Sequence, residues 1–581
     1  MKNMMRLNDI KTILFAGLLS CGIAATLVAC SDKLDEDPDS RWIKIDTPQK
    51  VSQLLTSGYP SAVPAVICEL MGDNLVDNNV VVPATHNDAF DLFNEEAYKW
   101  EDINNYSTGT DDTPLEVWDK YYYGIATANH AIAAMQEMSE DPAHDPDISY
   151  SWGEAHLMRA YFHFVLVNVF AEAYKNETES AKDWGVPYVT TVEEVVRIDY
   201  AKPEYRKKVS EVYALIEKDI LEGIDLIDDS KYKVPAYHFN RNAAYAFAAR
   251  FYLFKRDYQN CLKYANLALG SNPSTSLRKW ASMNTNTINT MLNAYNDEKA
   301  ACNYLLLTTY SLQDRVLSAC RYAINSGANN VRAISVKDGS AVSVNIPATK
   351  DILYEGGGPN WSGRVPAFDG KIFRWNAGSE YGSWLFRVYE YFEYTNKIAG
   401  IGYVHIIYQP FTAEETLLCR AEAKLYLGDT AGAIQDLGFW TASKMIDGEL
   451  TQDNINRKYA GTADRNIYVN DMHPQEMGFD KVLEGDQLNV LNCILHFRRI
   501  ETMFEGLRWF DIKRYGINVK HVYKGPRDYD ASYDELNWND PRRIVQIPYN
   551  AIDAGYPSTD RAQTSINAGD DMRWKSYSVA Q

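Results

Sequence analysis

Two stretches of this chain, Asn240 to Leu269 and Thr412 to Trp440, restrict its fold more than any other feature. Each begins as an Ala-rich helix, passes a short turn holding Asp (Lys255-Arg-Asp-Tyr258 and Gly428-Asp429), and continues as a second helix with small residues. Ala243, Ala244, Ala248 and Ala249 leave room for a neighbouring helix to come close. One such pair fits any αα-hairpin. Two of the same make read as tetratricopeptide-like units, not in strict tandem. Apolar periodicity predicts further helices over Thr47–Ser57, Val117–Met138 and Trp152–Phe170, and one capped by Ser210 that runs to about Asp228. The expected fold class is mostly α: a tetratricopeptide-like helix-pair scaffold carrying a loop-rich variable region.

Two blocks lack that periodicity, about 58–113 and 271–409. The first holds Met71 to Asn79, rich in Asn and Asp, then Phe90, Phe93, Tyr98 and Trp100. The second holds Trp280, Tyr295, Tyr304 and Tyr310 before a helical patch ending near Asn325. Short strands are expected within 331–346, followed by Gly356–Gly358, Trp361, Arg374 and Trp375. Asn and Asp favour turns, and long loops with their own aromatics are often binding loops. The alternative is that they pack down as a cap. Past Gly516 the chain is polar and irregular, with Arg543–Pro548 expected as a short strand.

The run Leu495 to Gly516 has two registers. Ile494, Phe497, Ile500, Phe504, Leu507 and Ile512 draw an apolar helix face. Beside it, Arg498/Glu501, Glu505/Arg508, Arg508/Asp511 and Asp511/Arg514 are three apart, and such exposed pairs add a few tenths of a kcal/mol each. Gly506 costs about 1 kcal/mol against Ala inside a helix, which points to close backbone packing or a local break. The stretch reads as a structural clasp built by Arg499, Glu501, Glu505, Gly506, Arg508 and Asp511.

Residues 1–29 are an export signal. Lys2, Arg6 and Lys11 precede an apolar run, Ile13 to Val28, which is short for a membrane span. The run ends in Leu27-Val-Ala-Cys30, similar to a bacterial lipobox, so Cys30 is the expected lipidation site and the membrane contact an acyl anchor. Cleavage there removes three Lys/Arg and one Asp, taking the formal charge from −20 to about −22. An acidic tether, 30–45, follows, and residues 46–581 form the expected single domain. Acidic residues directly behind the lipidated Cys resemble a Bacteroidetes-type surface-export signal.

That charge argues against a nucleic-acid partner. The eight Cys include no C-x-x-C pair, so a zinc ribbon or thioredoxin motif is not expected, while a disulfide stays open. His156 and His163 share a helix face without a third ligand in register, and HExxH is absent, which favours core or groove histidines over metal ligands. Gly356–Gly358 lack the Lys-Ser/Thr of a phosphate loop. No cofactor or metal is expected.

In order along the chain stand the lipobox at Cys30, Glu154 to Phe162 with Gly185-Val-Pro187, the helix pair from Arg241, Glu414 to Gly428, and Arg499 to Arg514 followed by Gln546-Ile-Pro548. This series resembles the SusD/RagB family of surface nutrient-binding lipoproteins over most of the mature chain. Tyr556 to Asn567 matches the family's usual ending only loosely. The resemblance implies a scaffold of four tetratricopeptide-like helix pairs with a variable half. It implies as partner a SusC-like TonB-dependent outer-membrane transporter over which the lipoprotein closes. It further implies binding, of oligosaccharides in many members and peptides in some, and no catalysis.

Four functions follow for comparison. A glycan-capture module needs aromatic plates for ring faces and Asn, Asp or Arg for hydroxyls. The expected ligand contacts are Asp73, Asn74, Tyr98 and Trp100 in the first block and Trp361, Arg374 and Trp375 in the second. The same scaffold catching peptides is the second reading. A glycosidase needs a carboxylate pair about 5–9 Å apart, and the sequence singles out none. A periplasmic helical-repeat scaffold is the fourth, disfavoured by the acidic residues behind Cys30.

Overall fold

In the computed structural model, which describes residues 44–77, 92–103, 112–192, 205–283, 287–318, 321–323, 331–336, 341–345, 374–375, 384–446, 448–523, 531–561 and 575–578, Thr47–Gln581 forms one unit. The expected signal, Cys30 and nearly all of the expected tether lie outside the described residues. The helices used below are α1 (Pro48–Ser57), α2 (Ala65–Met71), α3 (Leu92–Tyr98), α4 (Pro114–Met138), α5 (Ser149–Phe170), α6 (Val209–Gly223), α7 (Arg241–Lys255), α8 (Tyr258–Leu269), α9 (Ala413–Tyr426), α10 (Thr430–Ser443), α11 (Gln452–Tyr459), α12 (Gly485–Glu501) and α13 (Leu507–Tyr515). Among the described residues no helix is long and apolar enough to cross a membrane.

The two Ala-rich stretches close their helix pairs with one device. Helix α7 ends on Arg256 in the left-handed region (φ 66°), and Asp257 caps α8 by accepting from Asn260 N at 3.1 Å. Likewise α9 is followed by Gly428 (φ 90°), and Asp429 caps α10 by accepting from Gly432 N at 2.8 Å. A left-handed residue turns the chain, and the Asp satisfies a free N–H of the next helix. Ala243, Ala244, Ala248 and Ala249 are fully buried where α7 meets its neighbours. Helices α4, α5 and α6 pack in succession, as do α7, α8, α9 and α10, while α12 packs on α9, α10 and α11. Helix α5 is buried almost all round, which fits its apolar circumference.

Several boundaries differ from the sequence reading. Helix α6 starts at Val209, not behind a Ser210 cap, and ends at Gly223 with a 3₁₀ turn to Leu226. Arg543–Pro548 is not a strand: a 3₁₀ turn covers Pro541–Arg543 and the rest is irregular. The first loop block contains α2 and α3. The helical patch of the second is Gln313–Ser318. That block also supplies a three-stranded antiparallel sheet of β1 (Asn303–Thr309), β2 (Tyr391–Asn396) and β3 (Ile401–Thr412), with β3 in the middle. Its strand leads straight into α9, where Thr412 caps the helix. The short strands expected within 331–346 are present as the pair Val331–Val336 and Ala341–Asn345, antiparallel to each other.

The largest difference concerns Leu495 to Gly516, which is not one surface helix. Helix α12 stops at Glu501, Phe504 and Gly506 take positive φ (66° and 79°), and α13 starts at Leu507. Of the four charge pairs three apart, Asp511–Arg514 forms, at 2.8 Å. The other charges pair across the fold, and all but the half-buried Glu505 are buried. Arg498 meets Asp511 at 3.0 Å and Glu415 at 3.2 Å. Arg250 reaches the same Glu415 at 3.2 Å, and Arg514 grips Glu422 with two bonds of 2.5 and 2.7 Å. Thus Arg250, Glu415, Arg498, Asp511, Arg514 and Glu422 form one buried ionic chain joining α7, α9, α12 and α13. Glu501 extends the linkage to α10, meeting Lys444 at 2.6 Å and accepting from Trp440 Nε1 at 2.8 Å. Burial alone would raise the Asp511 carboxyl, but Arg498 and Arg514 hold it below the usual carboxylate range. Such a network adds little net stability over apolar packing, yet breaking it strands a buried charge.

The described thiols Cys68, Cys261, Cys302, Cys419 and Cys493 are free and buried. Cys261, Cys419 and Cys493 sit in the helical core as small residues.

Candidate functional site

The sequence-derived ligand contacts of the first block fall inside the protein. Asp73 receives two bonds from Arg508, at 2.8 and 2.7 Å, and its backbone carbonyl accepts from Arg499 at 2.5 Å. Burial pushes the Asp73 carboxyl up, but the Arg499 and Arg508 guanidiniums overcome this and hold it well below the usual range. Asn74 accepts from Arg499 Nε at 2.7 Å and donates to Glu69 at 2.9 Å. Tyr98 and Trp100 sandwich His521, with ring centroids 4.2 Å away on each side, and Tyr322 covers the other face of Tyr98 at 4.4 Å. Trp100 Nε1 donates to Met71 O at 2.8 Å, and Arg542 lies 5.6 Å from its ring. A ring that stacks on sugar needs an open face; these have none. In the structure these four residues are packing that fastens the 69–77 segment and α3 to the C-terminal clasp, and Asp73 and Trp100 also border small surface pockets.

Of the second block, Trp361 lies outside the described residues. Arg374 and Trp375 form a two-residue strand paired with Trp384–Leu385. The two blocks do meet: Val76–Asp77 pairs antiparallel with Tyr322–Ala323, and Arg321 grips Asp77 with bonds of 2.8 and 2.9 Å. The structure brings the blocks together at this strand pair.

This cluster carries a pH prediction. Glu69 is buried, accepting from Asn74 and, at 3.0 Å, from Gly506 N. Burial pushes its carboxyl up to about 7 from an ordinary 4.5, and the same cause raises Glu505 to about 7. Between pH 4.5 and 7 the folded state holds these protons more tightly than the unfolded chain. Their contribution to stability therefore falls as pH rises through that window and levels off above it, while the buried His163 and His521, pushed down to about 3 and about 4, contribute with the opposite sign below pH 6.5. The Glu69 share is about 1–3 kcal/mol. Urea denaturation at steps from pH 5 to 8 is expected to show the Glu69 share as a stability of the parent relative to Glu69→Gln that falls as pH rises from 5 to 7; a parent-to-variant difference independent of pH would contradict it.

An open aromatic groove lies elsewhere, beside α4. Its volume is about 490 Å³, within the usual range for small-ligand sites. Asp119, Tyr123, Ala126 and His130 recur every three to four residues, so they form one exposed stripe along α4. Trp118 and Tyr556 lie at the base, 5.9 Å apart between centroids, and Trp118 is wedged against Phe170. The extended segment Pro187–Val192 makes a second wall and the short helix Tyr549–Asp553, with Asn550 and Ala551, a third. The first two walls are fixed to each other: Tyr122 OH donates to Pro187 O at 2.9 Å, and Asn129 Nδ2 to Val189 O at 3.1 Å. Tyr123 is 60% exposed, so a ring face is available. Thr191, Asn550, His130 and Asp119 offer polar groups around it. Burial and the Glu116 charge raise the Asp119 carboxyl above its ordinary value.

Sequence reasoning did not select these residues. A usable signal was Tyr121-Tyr-Tyr123: a helix that buries one side cannot bury three consecutive rings. Tyr121 is fully buried, Tyr122 half-buried and Tyr123 out.

One further cluster has metal-ligand chemistry: His156, Asp219 and Glu222. Arg159 already sits there, with Nη2 2.6 Å from Asp219 Oδ1 and Nε 2.8 Å from Oδ2. Its guanidinium supplies the positive charge a cation would bring, so the donor set fits an ion pair better than a metal. His163, the second helix-face histidine, stacks on Tyr188 at 3.8 Å and donates to Arg159 O at 2.8 Å; burial lowers its pKa to about 3.

Comparison with known proteins places these features. Residues 32–253 match the family described as starch-binding and associating with the outer membrane, and residues 377–565 match the SusD family. The SusD-like protein P38 of Formosa agariphila is 23% identical over 566 residues, 93% of this chain and 99% of the relative. A putative sugar-binding protein of Bacteroides vulgatus superposes with a TM-score of 0.53 at 17% identity, over 89% of this chain and 99% of that one. A laminarin-binding SusD-like protein superposes with a TM-score of 0.50 at 15% identity, over 88% and 98%.

Proposed function

Because the chain belongs to the SusD family, we propose that it captures a glycan at the cell surface and delivers it to a SusC-like TonB-dependent outer-membrane transporter. The observation that carries the binding role is the pre-formed aromatic groove beside α4. Sugar rings present apolar faces edged by hydroxyls, and Tyr123 with Trp118, Asn550 and Thr191 offers the complementary mix. The starch-binding description of the matched family and the sugar-binding and laminarin-binding relatives support a glycan over a peptide. Anchoring through Cys30 rests on the lipobox and the outer-membrane association of the matched family.

Binding without hydrolysis fits the same groove. A glycosidase needs two carboxylates flanking the bond, and Asp119 is the one carboxylate among the described lining residues. Incubation with bound glycans is expected to release no reducing ends. Protease shaving of intact cells is expected to release the protein.

Affinity electrophoresis against a polysaccharide panel tests the groove. Tyr123→Ala is expected to weaken retardation by about five- to twentyfold, with an unchanged melting temperature because the ring is mostly exposed. Equal retardation of variant and parent would remove the groove from the reading. Peptide binding with no retardation by any glycan would replace the ligand class.

A further inference from the structure

Three consecutive cations run beside the groove. Tyr205–Lys208 lies against Trp184–Pro187: Trp184 and Lys208 form an antiparallel bridge, and Gly185 N donates to Lys207 O at 2.9 Å. Gly185 has no side chain to hold the segments apart; a Cβ there would stand 3.0 Å from Val212 and 3.3 Å from Lys207 O. Pro187, on the first segment, lines the groove, and so does Tyr556. The Arg206 guanidinium carbon lies 4.3 Å and Lys208 Nζ 3.4 Å from the Trp184 ring centroid, and Arg206 is 5.9 Å from the Tyr556 ring. Trp184 itself is 43% exposed.

Among the described residues, Arg206, Lys207 and Lys208 make no ion pair, and Arg206 Nε is buried without an acceptor. Elsewhere the buried guanidiniums of Arg159, Arg420, Arg498, Arg508 and Arg514 each meet a carboxylate. Lys208 Nζ donates to Lys182 O at 3.0 Å, and the Glu211 carboxylate accepts from Lys208 N at 2.6 Å; in a chain with 78 acidic and 58 basic residues, three adjacent cations without an ion-pair partner still form a positive ledge.

We infer that this ledge receives the acidic substituent, a uronate carboxylate or a sulfate ester, of a glycan lying in the groove; the inference rests on the groove being the glycan site. Stacking on Trp184 holds the cationic heads in place before binding, which lowers the ordering cost. The guanidinium of Arg206 can donate to two oxygens at once, whether of a planar carboxylate or of a tetrahedral sulfate ester. The acidic surface repels a polyanion, so recognition needs a local positive field. Screening limits that field to about 8–10 Å, a range that takes in the base of the groove at Tyr556. Asp119, on α4, disfavours an anion along the helical wall and directs it to the ledge.

Isothermal titration of the whole mature protein compares polygalacturonate with its carboxyl-reduced form, and a sulfated galactan with its desulfated form. At least one anionic polymer is expected to bind at least about fivefold more tightly than its neutralised form, with the gap narrowing at high salt. The pair that shows the gap identifies carboxylate or sulfate. Lys207→Glu and Arg206→Gln/Lys208→Gln are each expected to shrink it; melting temperatures report folding. Equal affinity for charged and neutralised polymers, both lost in Tyr123→Ala, overturns the ledge and leaves the groove. Binding indifferent to Tyr123→Ala overturns both. Binding of neither anionic polymer also overturns the ledge.

Discussion

Arg508→Ala is expected to destabilise the folded protein by about 3–5 kcal/mol, the usual consequence of removing one partner of a buried ion pair. Arg508 is 2% exposed and gives Asp73 two bonds, of 2.8 and 2.7 Å, and Asn470 a third of 2.8 Å. Truncation leaves Asp73 buried with Arg499 as its remaining cation, 3.5 Å away. The carboxyl, now held low by both guanidiniums, is expected to titrate nearer the ordinary range. Urea denaturation reads the loss as a lower midpoint at unchanged slope. Glycan affinity per folded molecule is expected to stay at the parent value, because the pair lies in the clasp. A variant of normal stability that cannot bind would place Arg508 at the ligand instead.

Gly506→Ala is expected to cost about 2–5 kcal/mol, from roughly 1–2 for a left-handed non-glycine and about 1–3 for overpacking. The residue has φ +79°, and a Cβ there would stand 3.0 Å from Ala65 Cα and 3.0 Å from Cys68 Cβ. The backbone of α2 cannot withdraw without disturbing Glu69, which accepts the Gly506 N–H. Gly428→Ala separates the two contributions. Gly428 has φ +90° with nothing within 4 Å of its would-be Cβ, so that variant carries conformational strain without collision. Equal losses in the two variants would show that Gly506 is needed for its backbone angle alone.

The helix pairs were legible because their determinants are local. Alanine content, the left-handed Arg256 or Gly428, and the capping Asp257 or Asp429 all lie within a few residues of one another. The break at Gly506 was half legible: a glycine among helix formers signals close packing or interruption, and both occur. The sheet of β1, β2 and β3 was not legible, since Tyr304–Leu307 is a short apolar run that suits a buried helix or a strand equally.

The site was the least legible part. Asp, Asn and aromatic residues together describe a wet sugar site and a buried polar cluster alike. Asp73, Asn74, Tyr98 and Trp100 belong to the second, because Arg499, Arg508 and His521 arrive from more than 400 positions away to occupy them. Tyr123, by contrast, stands in a regular helix, and what makes it a site is what faces it, Pro187–Val192 and the Asn550 helix.

The sequence by itself determined the helical class, the helix-pair turns, the family and the acidic surface, since each follows from neighbours in the chain or from plain composition. Only the tertiary structure decided which charges are buried and with whom, which aromatics keep an open face, and that Arg206–Lys208 forms a positive ledge at the edge of a groove. The physical reason is that burial and ion pairing are properties of pairs of distant segments. Two carboxylates of identical local sequence diverge once one meets a guanidinium from another helix and the other meets water.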